Sequence, residues 1–199
     1  MPTVRPATES DLPGVGLDLA AAFADDPIWQ WLCPSPRSWT PRASTYFRRD
    51  ARARLRSRES VLVPAGGGAA ALWAPPDRWR STASDLAHDV VPALRLFRHR
   101  TVRATRLLAT IERRHPTEPH WYLAVLGTHP DRQGQGLGSS LITPITDRCD
   151  ETGLGAYLES SKEANVPFYR RHGFEVVDSV ALAAGPPMWL MWREPQPPT

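Results

Sequence analysis

The sequence predicts an α/β fold whose central strand is covered by helices on both faces. Residues 121–126 form a nearly continuous apolar run, the pattern of a strand buried on both sides. This run leads through the glycine-rich residues 133–138 into a helical apolar stripe that begins at Leu137. The chain of 199 residues is long enough for one well-buried domain, and no stretch rich in Pro, Gly or charge separates two cores. We therefore expect a single domain over residues 1–194 and a disordered tail over residues 195–199.

The composition is that of a globular protein. Hydrophobic residues make up 41% of the chain and charged residues 23%, while no apolar run approaches the ~20 residues of a membrane-spanning helix. The first residues lead directly into a strand and lack the apolar core of a signal peptide, so we expect a cytoplasmic protein with no membrane partner. The cysteines, Cys33 and Cys149, and the six histidines show no metal-ligand spacing, which predicts that no metal is bound. Cys149 lies on a helical apolar stripe and is expected in the core.

Arginine is unusually frequent and forms two clusters on predicted helices. The net charge is +3, and Lys162 is the single lysine among 24 Lys and Arg residues, a bias that suggests a GC-rich bacterial genome. A nucleic-acid surface is one interpretation of the clusters. Solvated helix faces are preferred, because no recognition motif accompanies them and the net charge is modest, so no nucleic-acid partner is expected. The arginines are Arg48, Arg49, Arg52, Arg54, Arg56 and Arg58, and Arg95, Arg98, Arg100, Arg103 and Arg106.

The N-terminal part of the chain predicts strands and helices in alternation. Residues 8–11, Thr-Glu-Ser-Asp, resemble a capping box that opens a helix, and this helix ends near Pro27 because proline disfavours helix at the residue before it. A helical stretch from Ser84 to Arg114 is kinked or divided at Pro92. The other predicted elements are a strand at 3–5, a helix at 38–57, and paired strands at 61–63 and 69–73 around a Gly-rich turn.

Two carboxylates and two tryptophans follow the first helix. Asp25 and Asp26 precede Trp29 and Trp31 in a segment flanked by prolines. Large aromatic side chains beside carboxylates could form the wall and the anionic group of a pocket for a cationic amine. They could equally be packing residues next to helix-end charges, and the sequence leaves both interpretations open.

The C-terminal part predicts the second half of the sheet. The helix after the glycine loop contains Pro144, which predicts a kink, and ends at Gly153. A short buried strand over residues 156–159 ends on an acidic residue. A short helix follows, which Asn165 can cap and Gly173 terminates. Two closing strands are predicted at 175–182 and 188–192.

The loop over residues 133–139 has the chemistry of an anion site. Its three glycines permit positive φ angles that turn backbone N–H groups inward, and the first turn of the following helix adds unsatisfied donors at the positive end of its dipole. A phosphate or pyrophosphate suits such a site. A Walker loop would need a lysine before the helical Ser or Thr, and a Rossmann loop would need glycine in place of Ser139, so both are excluded. The spacing that remains is Gln133-x-x-Gly136-x-Gly138.

This spacing resembles the acetyl-CoA loop of the GNAT superfamily of N-acetyltransferases. The C-terminal sequence resembles the same superfamily through Leu158-Glu159-Ser160-Ser161, Asn165, Phe168-Tyr169 and Gly173-Phe174. Further residues are similar to the branch of the superfamily that acetylates puromycin, among them Trp121, Pro130-Asp131 and Pro167-Phe168-Tyr169. The resemblance implies a GNAT-type fold, in which helices flank a mixed central sheet of about six to seven strands with a V-shaped splay between the two central strands.

The resemblance also implies acetyl-CoA as co-substrate, bound between the splayed strands at 121–128 and 156–159. Backbone groups of the glycine loop would hold the pyrophosphate, and the edge of the first strand would pair with the pantetheine. Asn165 would lie near the pantetheine arm, although helix capping is an alternative role for it. The expected cofactor-binding residues are Leu126, Gly127, Thr128, Gln133, Gly134, Gln135, Gly136, Leu137, Gly138, Ser139 and Asn165.

Two residues are the candidates for proton transfer during direct acetyl transfer to an amine. The resemblance implies that Tyr169 faces the cofactor sulfur, and a phenol of ordinary pKa ~10 is close to a thiol at ~8.5, so Tyr169 is the expected general acid. Glu159, at a strand end beside the expected cleft, is the expected general base. A structural role stays open for both, and Glu159 could also anchor the substrate. His120 is an alternative base, or a packed histidine at a strand start.

The sequence leaves the acceptor amine open. The leading expectation is a primary amine of a small molecule, for example an aminonucleoside antibiotic such as puromycin, with Asp25, Asp26, Trp29 and Trp31 as substrate-binding residues. A protein or peptide acetyltransferase and a CoA-binding sensor without turnover are the alternatives. A monomer and a homodimer are both compatible with the sequence.

Overall fold

The computed structural model describes residues 2–33, 36–57, 60–79, 94, 96–182 and 185–197. The strands are β1 (Val4–Pro6), β2 (Ser60–Pro64), β3 (Ala69–Ala74), β4 (His120–Thr128), β5 (Gly155–Ser160), β6 (Glu175–Val180) and β7 (Met188–Arg193). The α-helices are α1 (Leu12–Ala22), α2 (Pro27–Leu32), α3 (Trp39–Arg56), α4 (Thr101–Arg114), α5 (Leu137–Thr152) and α6 (Val166–Arg170). The seven strands form one sheet in the order β1-β2-β3-β4-β5-β7-β6.

The sheet is mixed and covered on both faces, which confirms the predicted fold. β4 and β5 run parallel, whereas the other neighbouring strands are antiparallel. A parallel pair needs a crossover connection, and α5 provides it. Buried side chains of α1, α2, α3 and α4 form the core on one face of the sheet. Those of α5 and α6 form the core on the other face.

β4 and β5 separate toward their C-terminal ends. Their pairing runs from His120↔Gly155 to Leu123↔Leu158 and then stops. Beyond this point β4 continues to Thr128 along β3, and β5 continues along β7. The gap between them is the predicted V-shaped splay, and no strand of the described residues pairs with this edge of β4 beyond Leu123.

Two glycines allow α1 to pack closely and so bring the α1–α2 turn to the splay. A Cβ atom at Gly16 would lie 2.5 Å from the carbonyl oxygen of Ser44 in α3. A Cβ atom at Gly127 would lie 2.7 Å from Leu19 Cδ2. Real Cβ atoms do not tolerate such contacts, so glycine is needed where α1 packs on α3 and where β4 packs on α1. As a result, the C-terminal end of α1 lies against the end of β4.

The largest difference from the sequence-based prediction is α2. The sequence predicts no helix after Pro27, whereas α2 begins at this residue and the Asp26 Oδ1 atom accepts the N–H groups of Ile28 and Trp29. A helix of six residues carries too little hydrophobic periodicity to be detected. The short helix nevertheless determines where the Asp26 carboxylate lies.

Smaller differences concern the ends of elements. β6 ends at Val180, two residues earlier than predicted, and α5 continues through Pro144. The first part of the predicted helical stretch from Ser84 to Arg114, with its break at Pro92, lies outside the described residues, and within its described part α4 begins at Thr101. Other positions outside the described residues are Arg58 and Arg95 of the arginine clusters and residues 198–199 of the predicted tail.

α5 buries the apolar stripe that the sequence predicts. Leu137, Leu141, Ile145 and Cys149 are all buried, and burial raises the pKa of the Cys149 thiol to about 12. This confirms Cys149 as a core residue. Within the described segments, no helix combines the length and the apolar character needed to cross a membrane.

A partly buried ion pair connects the end of α5 to β7. The two terminal nitrogens of Arg193 donate to the Asp150 carboxylate at 2.7 Å each, and Arg193 Nε donates to the His172 carbonyl oxygen at 3.0 Å. The guanidinium of Arg193 holds the pKa of Asp150 below its usual range. His172 Nε2 in turn lies 3.0 Å from the hydroxyl of Ser139 at the start of α5. The ion pair therefore supports the segment that carries the glycine loop.

We expect Asp150→Asn to lower the free energy of unfolding by about 2 kcal/mol at neutral pH, because it leaves the buried guanidinium of Arg193 without its counter-ion. The pKa of Asp150 is lower in the folded protein than the ~3.9 of an unfolded chain. The stabilisation is therefore complete above pH ~4 and is lost as the pH falls further. Urea unfolding of wild type and Asp150→Asn at pH ~7 and at pH ~3 measures the stabilisation at each pH. The exposed neighbour provides the control Glu151→Gln, and an equal loss at both pH values would contradict the ion-pair explanation.

Candidate active site

A pocket of about 460 Å³ lies beyond the last β4–β5 pair. Its walls come from the end of β4, the glycine loop with the start of α5, the α1–α2 turn and α6. The predicted site residues that line it are Asp26, Leu126, Gly127, Thr128, Gln133, Gly134, Gly136, Leu137, Gly138, Ser139, Asn165 and Tyr169. The predicted site residues outside its lining are Asp25, Trp29, Trp31, Gln135 and Glu159.

Two glycines of the loop adopt the left-handed backbone conformation that an anion site requires. The φ angle is +74° at Gly134 and +75° at Gly136, which caps the N-terminus of α5. The Ser140 N–H donates to the Gly136 carbonyl oxygen at 3.0 Å, so the N–H groups of residues 137–139 have no acceptor within the helix. A Cβ atom at either glycine would meet no atom within 4 Å. The residues that carry these donors line the pocket, an arrangement that suits a pyrophosphate.

The free edge of β4 faces the same pocket. Residues 126–128 pair with residues 69–71 of β3, while β5 has already diverged at this level. Backbone N–H and C=O groups on the open edge can bond to an extended ligand, as they would to another strand. The side-chain amide of Gln133 also lies here and donates to the Thr128 carbonyl oxygen at 3.4 Å. An amide-containing chain such as pantetheine fits this edge.

The charged side chains that line the pocket are mainly cationic. They are Arg132, Lys162 and Arg171 against the single carboxylate of Asp26. Lys162 Nζ donates to Asp25 at 2.6 Å, so its charge is already paired. Of the two arginines, Arg132 lies next to the glycine loop in the sequence and Arg171 follows α6. This balance favours an anionic ligand. Sequence reasoning missed both arginines, because an isolated arginine near the loop carries no motif.

α6 presents Tyr169 and Asn165 to the pocket. Tyr169 is 8% exposed, and burial, followed by the charge of Asp26, raises its pKa, so the phenol keeps its proton at neutral pH. Asn165 occupies the N-cap position of α6, but its side chain makes no capping hydrogen bond. This finding removes helix capping as an explanation for Asn165. Gly173, with φ at +82°, follows the helix as predicted.

Hydrogen bonds and an ion pair join the α1–α2 turn to the loop after β5. The Asp26 carboxylate, which is buried, accepts the N–H groups of residues 28–29 and the hydroxyl of Ser161. Burial raises the pKa of Asp26. Asp25 has a side chain that is 77% exposed and accepts from Lys162. Of the two predicted carboxylates, Asp26 thus reaches the pocket while it caps α2, and Asp25 lies outside.

Trp29 and Trp31 lie in the core behind the pocket. Trp29 stacks on Phe97, with ring centroids 6.1 Å apart, and it contacts Phe23, which lines the pocket. Trp31 packs against the same core, and its Nε1 atom is buried with no hydrogen-bond partner among the described residues. The other rings around Trp29 are Trp39, Tyr46 and Phe47. These contacts favour the packing interpretation of both tryptophans.

Glu159 belongs to a buried polar cluster, which we call the His115 cluster: His115, His120, Tyr122, Tyr157 and Glu159. The Tyr122 hydroxyl donates to Glu159 Oε2 at 2.8 Å, and His115 Nδ1 lies 3.6 Å from Glu159 Oε1. The Nε2 atoms of His115 and His120 are 3.0 Å apart. Sequence reasoning singled out His120 and Glu159 but missed His115, which follows a helix without any pattern of its own. Among the residues that the structure describes, no group of three or more His, Cys, Asp or Glu side chains is arranged to hold a metal ion.

Comparison with known sequences identifies the family. The sequence profile of the Acetyltransferase (GNAT) family matches residues 26–174. An uncharacterized N-acetyltransferase of Schizosaccharomyces pombe is 40% identical over 79 residues, which cover 38% of this chain and 32% of the yeast protein. The match therefore spans about a third of the length of that relative.

Solved structures of acetyltransferases share the whole fold. The crystal structure of histone acetyltransferase HPA2 and related acetyltransferase from Corynebacterium glutamicum matches with a TM-score of 0.73 and 26% identity, over 100% of this chain and 98% of that chain. The polyamine N-acetyltransferase of Drosophila melanogaster matches with a TM-score of 0.62 and 14% identity, over 96% and 99% of the two chains, a likeness that concerns the fold alone. The family profile covers most of the chain, so this protein belongs to the GNAT family and is an acetyltransferase.

Proposed function

We propose that the protein transfers acetyl from acetyl-CoA to a primary amine of a small molecule, with both substrates bound together. Members of the GNAT family use acetyl-CoA as co-substrate. One observation carries the proposal: the glycine loop, the free edge of β4 and Tyr169 all line the same pocket. These three parts suit the pyrophosphate, the pantetheine and the thioester sulfur of the cofactor respectively.

The residues around the pocket fit the cofactor. The N–H groups of residues 137–139, with Arg132 and Arg171, would hold the pyrophosphate, and Asn165 would lie beside the pantetheine. The bound cofactor supplies an acetyl thioester, whose carbonyl group the β4 edge would polarise. Positioning is the larger contribution, because effective molarities of roughly 10⁵–10⁸ M exceed the ~10²–10⁴ expected from one acid or base.

The proposed acid and base are Tyr169 and Glu159. Since burial raises the pKa of Tyr169, this residue enters the reaction protonated and would donate to the departing thiolate. A raised pKa makes the phenol a weaker donor toward a thiolate in water. The cofactor sulfur would lie in the same buried pocket, however, and burial raises the pKa of a thiol in the same way. Glu159 would take part in removing the proton that the amine loses.

A small amine is the favoured acceptor. The residues shared with the puromycin-acetylating branch, including Trp121 and residues 167–169, support a narrower proposal in which the acceptor is an aminonucleoside. The Asp26 carboxylate in the pocket would attract the ammonium group. The Corynebacterium glutamicum relative is described as a histone acetyltransferase, which makes the amine of a protein or peptide the second candidate.

The proposal is tested by release of the CoA thiol with a panel of acceptors: puromycin, simple aliphatic amines and lysine-containing peptides. We expect steady turnover with at least one small amine and a product that carries one acetyl group by mass spectrometry. Turnover with peptides alone would favour the second candidate. An absence of turnover with puromycin would remove only the aminonucleoside proposal, whereas an absence with every acceptor would overturn acetyl transfer.

We expect Gly136→Ala to raise the KM for acetyl-CoA about tenfold. Alanine at the φ angle of +75° found here costs about 1–2 kcal/mol, and its methyl group would project in front of the loop donors. Steady-state kinetics and an acetyl-CoA-dependent thermal shift measure the change. The matched control is Gly14→Ala in α1, where φ is not positive and an added Cβ meets nothing within 4 Å, so that activity should be unchanged. An unaltered KM for Gly136→Ala would contradict the role of the loop.

A further inference from the structure

The His115 cluster lies where β4 and β5 part. Glu159 is the first residue of β5 beyond the last pair, Leu123↔Leu158. Leu158 packs in the core on the α5 side, and because side chains alternate along a strand, Glu159 lies on the opposite face of the sheet. The cluster is therefore at the base of the splay, on the face that carries α1 to α4. The side chain of His115 is 0% exposed and that of Glu159 is 5% exposed.

Hydrogen bonding determines which histidine nitrogens carry hydrogen. His120 Nδ1 lies 2.6 Å from the carbonyl oxygen of Glu118, and a carbonyl oxygen only accepts, so His120 Nδ1 must donate. Burial lowers the pKa of His120 and keeps it neutral. Its Nε2 atom therefore accepts from His115 Nε2, 3.0 Å away. In neutral His115 the remaining nitrogen, Nδ1, is then an acceptor.

This chain of bonds leaves two acceptors that face each other. His115 Nδ1 and Glu159 Oε1 are 3.6 Å apart, and both are buried without a hydrogen-bond partner among the described residues. The other carboxylate oxygen is already occupied by the Tyr122 hydroxyl, which remains a donor because burial and the charge of Glu159 raise its pKa well above the usual value. Two buried acceptors in contact are unfavourable unless a hydrogen lies between them. The pair is therefore suited to bind a proton.

The groups around the pair come from several elements. The Trp79 ring stacks on the His115 ring with centroids 3.6 Å apart, and the Tyr157 ring meets it edge-on at 4.8 Å. The nearby charges are Arg54 of α3, which acts on Tyr122, Asp178 of β6, which acts on Tyr157, and Arg114 of α4, which pairs with Asp178. Glu159 is the carboxylate that directly faces His115.

We propose that His115 and Glu159 form the proton-accepting site for the acceptor amine, and that His120 positions His115 for this role. This inference rests on the proposed acetyl transfer. The acceptor arrives as an ammonium ion, which cannot attack. One proton leaves its nitrogen and bonds to His115 Nδ1, facing Glu159 Oε1, and the electron pair stays on the amine nitrogen. That pair forms the bond to the acetyl carbon, the carbon–sulfur bond breaks, and the sulfur takes a proton from Tyr169. The second proton that the nitrogen loses as it becomes an amide returns to the Tyr169 phenolate.

The test compares two acceptors of similar size that differ in the amine pKa, one an alkylammonium ion at neutral pH and the other an arylamine that is already neutral. With the alkylammonium acceptor, we expect His115→Asn and Glu159→Gln to lower kcat about 100-fold and to leave the KM for acetyl-CoA unchanged. With the arylamine, the loss should shrink to about threefold or less, because no proton has to be removed before the nitrogen can attack. The exposed His99 provides the matched control, His99→Asn, which should behave as wild type with both acceptors.

A positioning role for His120 predicts a different result. We expect His120→Asn to lower kcat for the alkylammonium acceptor about tenfold, because His115 Nε2 loses the imidazole nitrogen to which it donates. The arylamine should again be little affected. A loss of the same size with both acceptors, for any of the three variants, would assign that residue a structural role and overturn its part in proton transfer.

Nitrogen NMR of the imidazole rings in the wild-type protein tests the proton site without turnover. We expect His115 Nε2 to carry hydrogen and Nδ1 to be without hydrogen in the neutral ring, with a changed Nδ1 chemical shift in Glu159→Gln. A neutral His115 protonated on Nδ1 would overturn the inference. If the wild-type enzyme acetylates no amine, the proposed function fails, and the NMR result still decides whether this proton site exists.

Discussion

We expect Tyr169→Phe to lower kcat by about 100-fold and to leave the KM for acetyl-CoA within a factor of about two. A general acid contributes roughly 10²–10⁴ to the rate, and phenylalanine keeps the ring that fills this part of the pocket. Burial and the charge of Asp26 raise the pKa of Tyr169 above that of an ordinary phenol. The wild-type acid therefore stays protonated up to at least pH ~10, and its ionisation should cause no fall in kcat below that pH.

The matched control for the lost hydroxyl is Tyr46→Phe. Tyr46 packs in the aromatic core against Trp29 and Phe47 and does not line the pocket, so its substitution should leave turnover unchanged. Single-turnover measurements with saturating acetyl-CoA separate the chemical step from cofactor binding. Turnover of Tyr169→Phe within about twofold of wild type would remove the phenol from the proposed proton transfer.

The parts of the site that the sequence predicts are those with a local signal. Residues 126–139 are consecutive, and they contain the free edge of β4, the glycine loop and the first turn of α5. Within this stretch, Gly134 and Gly136 take the positive φ angles that their positions suggest. The glycine after α6 likewise marks the end of the helix that carries Tyr169. Each of these features depends on neighbours along the chain, so the sequence is sufficient to predict it.

The parts that the sequence misses depend on contacts between distant residues. Asp26 and Ser161 are separated by 135 positions, and Tyr122 and Glu159 by 37, so no local pattern connects either pair. The sequence does contain a weaker indication of the His115 cluster. Two-residue spacing places His120 and Tyr122 on one face of β4, and Tyr157 and Glu159 on one face of β5. Only the register of the parallel pair shows that these two faces meet.

Asp26→Ala should lower the free energy of unfolding by about 3 kcal/mol at neutral pH. The substitution removes the cap of α2 and leaves the partly buried hydroxyl of Ser161 without its acceptor. It also loosens the α1–α2 turn, which forms one wall of the pocket. Urea unfolding measures the loss. The exposed neighbour provides the control Asp25→Ala, which removes one surface ion pair with Lys162 and should cost well under 1 kcal/mol.

Asp26→Asn should behave differently, because the amide oxygen still accepts the N–H groups of residues 28–29 and the amide group can donate to the Ser161 hydroxyl. Burial raises the pKa of Asp26 in the folded protein above the ~3.9 of an unfolded chain. The wild-type carboxyl therefore contributes most stability below pH ~4 and progressively less as the pH rises through its folded pKa. Asparagine does not titrate, so the stability of Asp26→Asn relative to wild type should improve between pH ~4 and ~7. If the difference in stability between Asp26→Asn and wild type stayed constant over this pH range, the raised pKa of Asp26 would be contradicted.

The same substitution decides whether Asp26 also binds the acceptor. Oδ1 accepts two N–H groups, whereas Oδ2 accepts from Ser161 alone among the described residues, and Asp26 lines the pocket. An ammonium group bound there would lose a charge-assisted hydrogen bond in Asp26→Asn, so we expect the KM for the amine to rise about tenfold, with the fold intact. The neutral arylamine should show a smaller change. An unchanged KM for both amines would restrict Asp26 to capping α2.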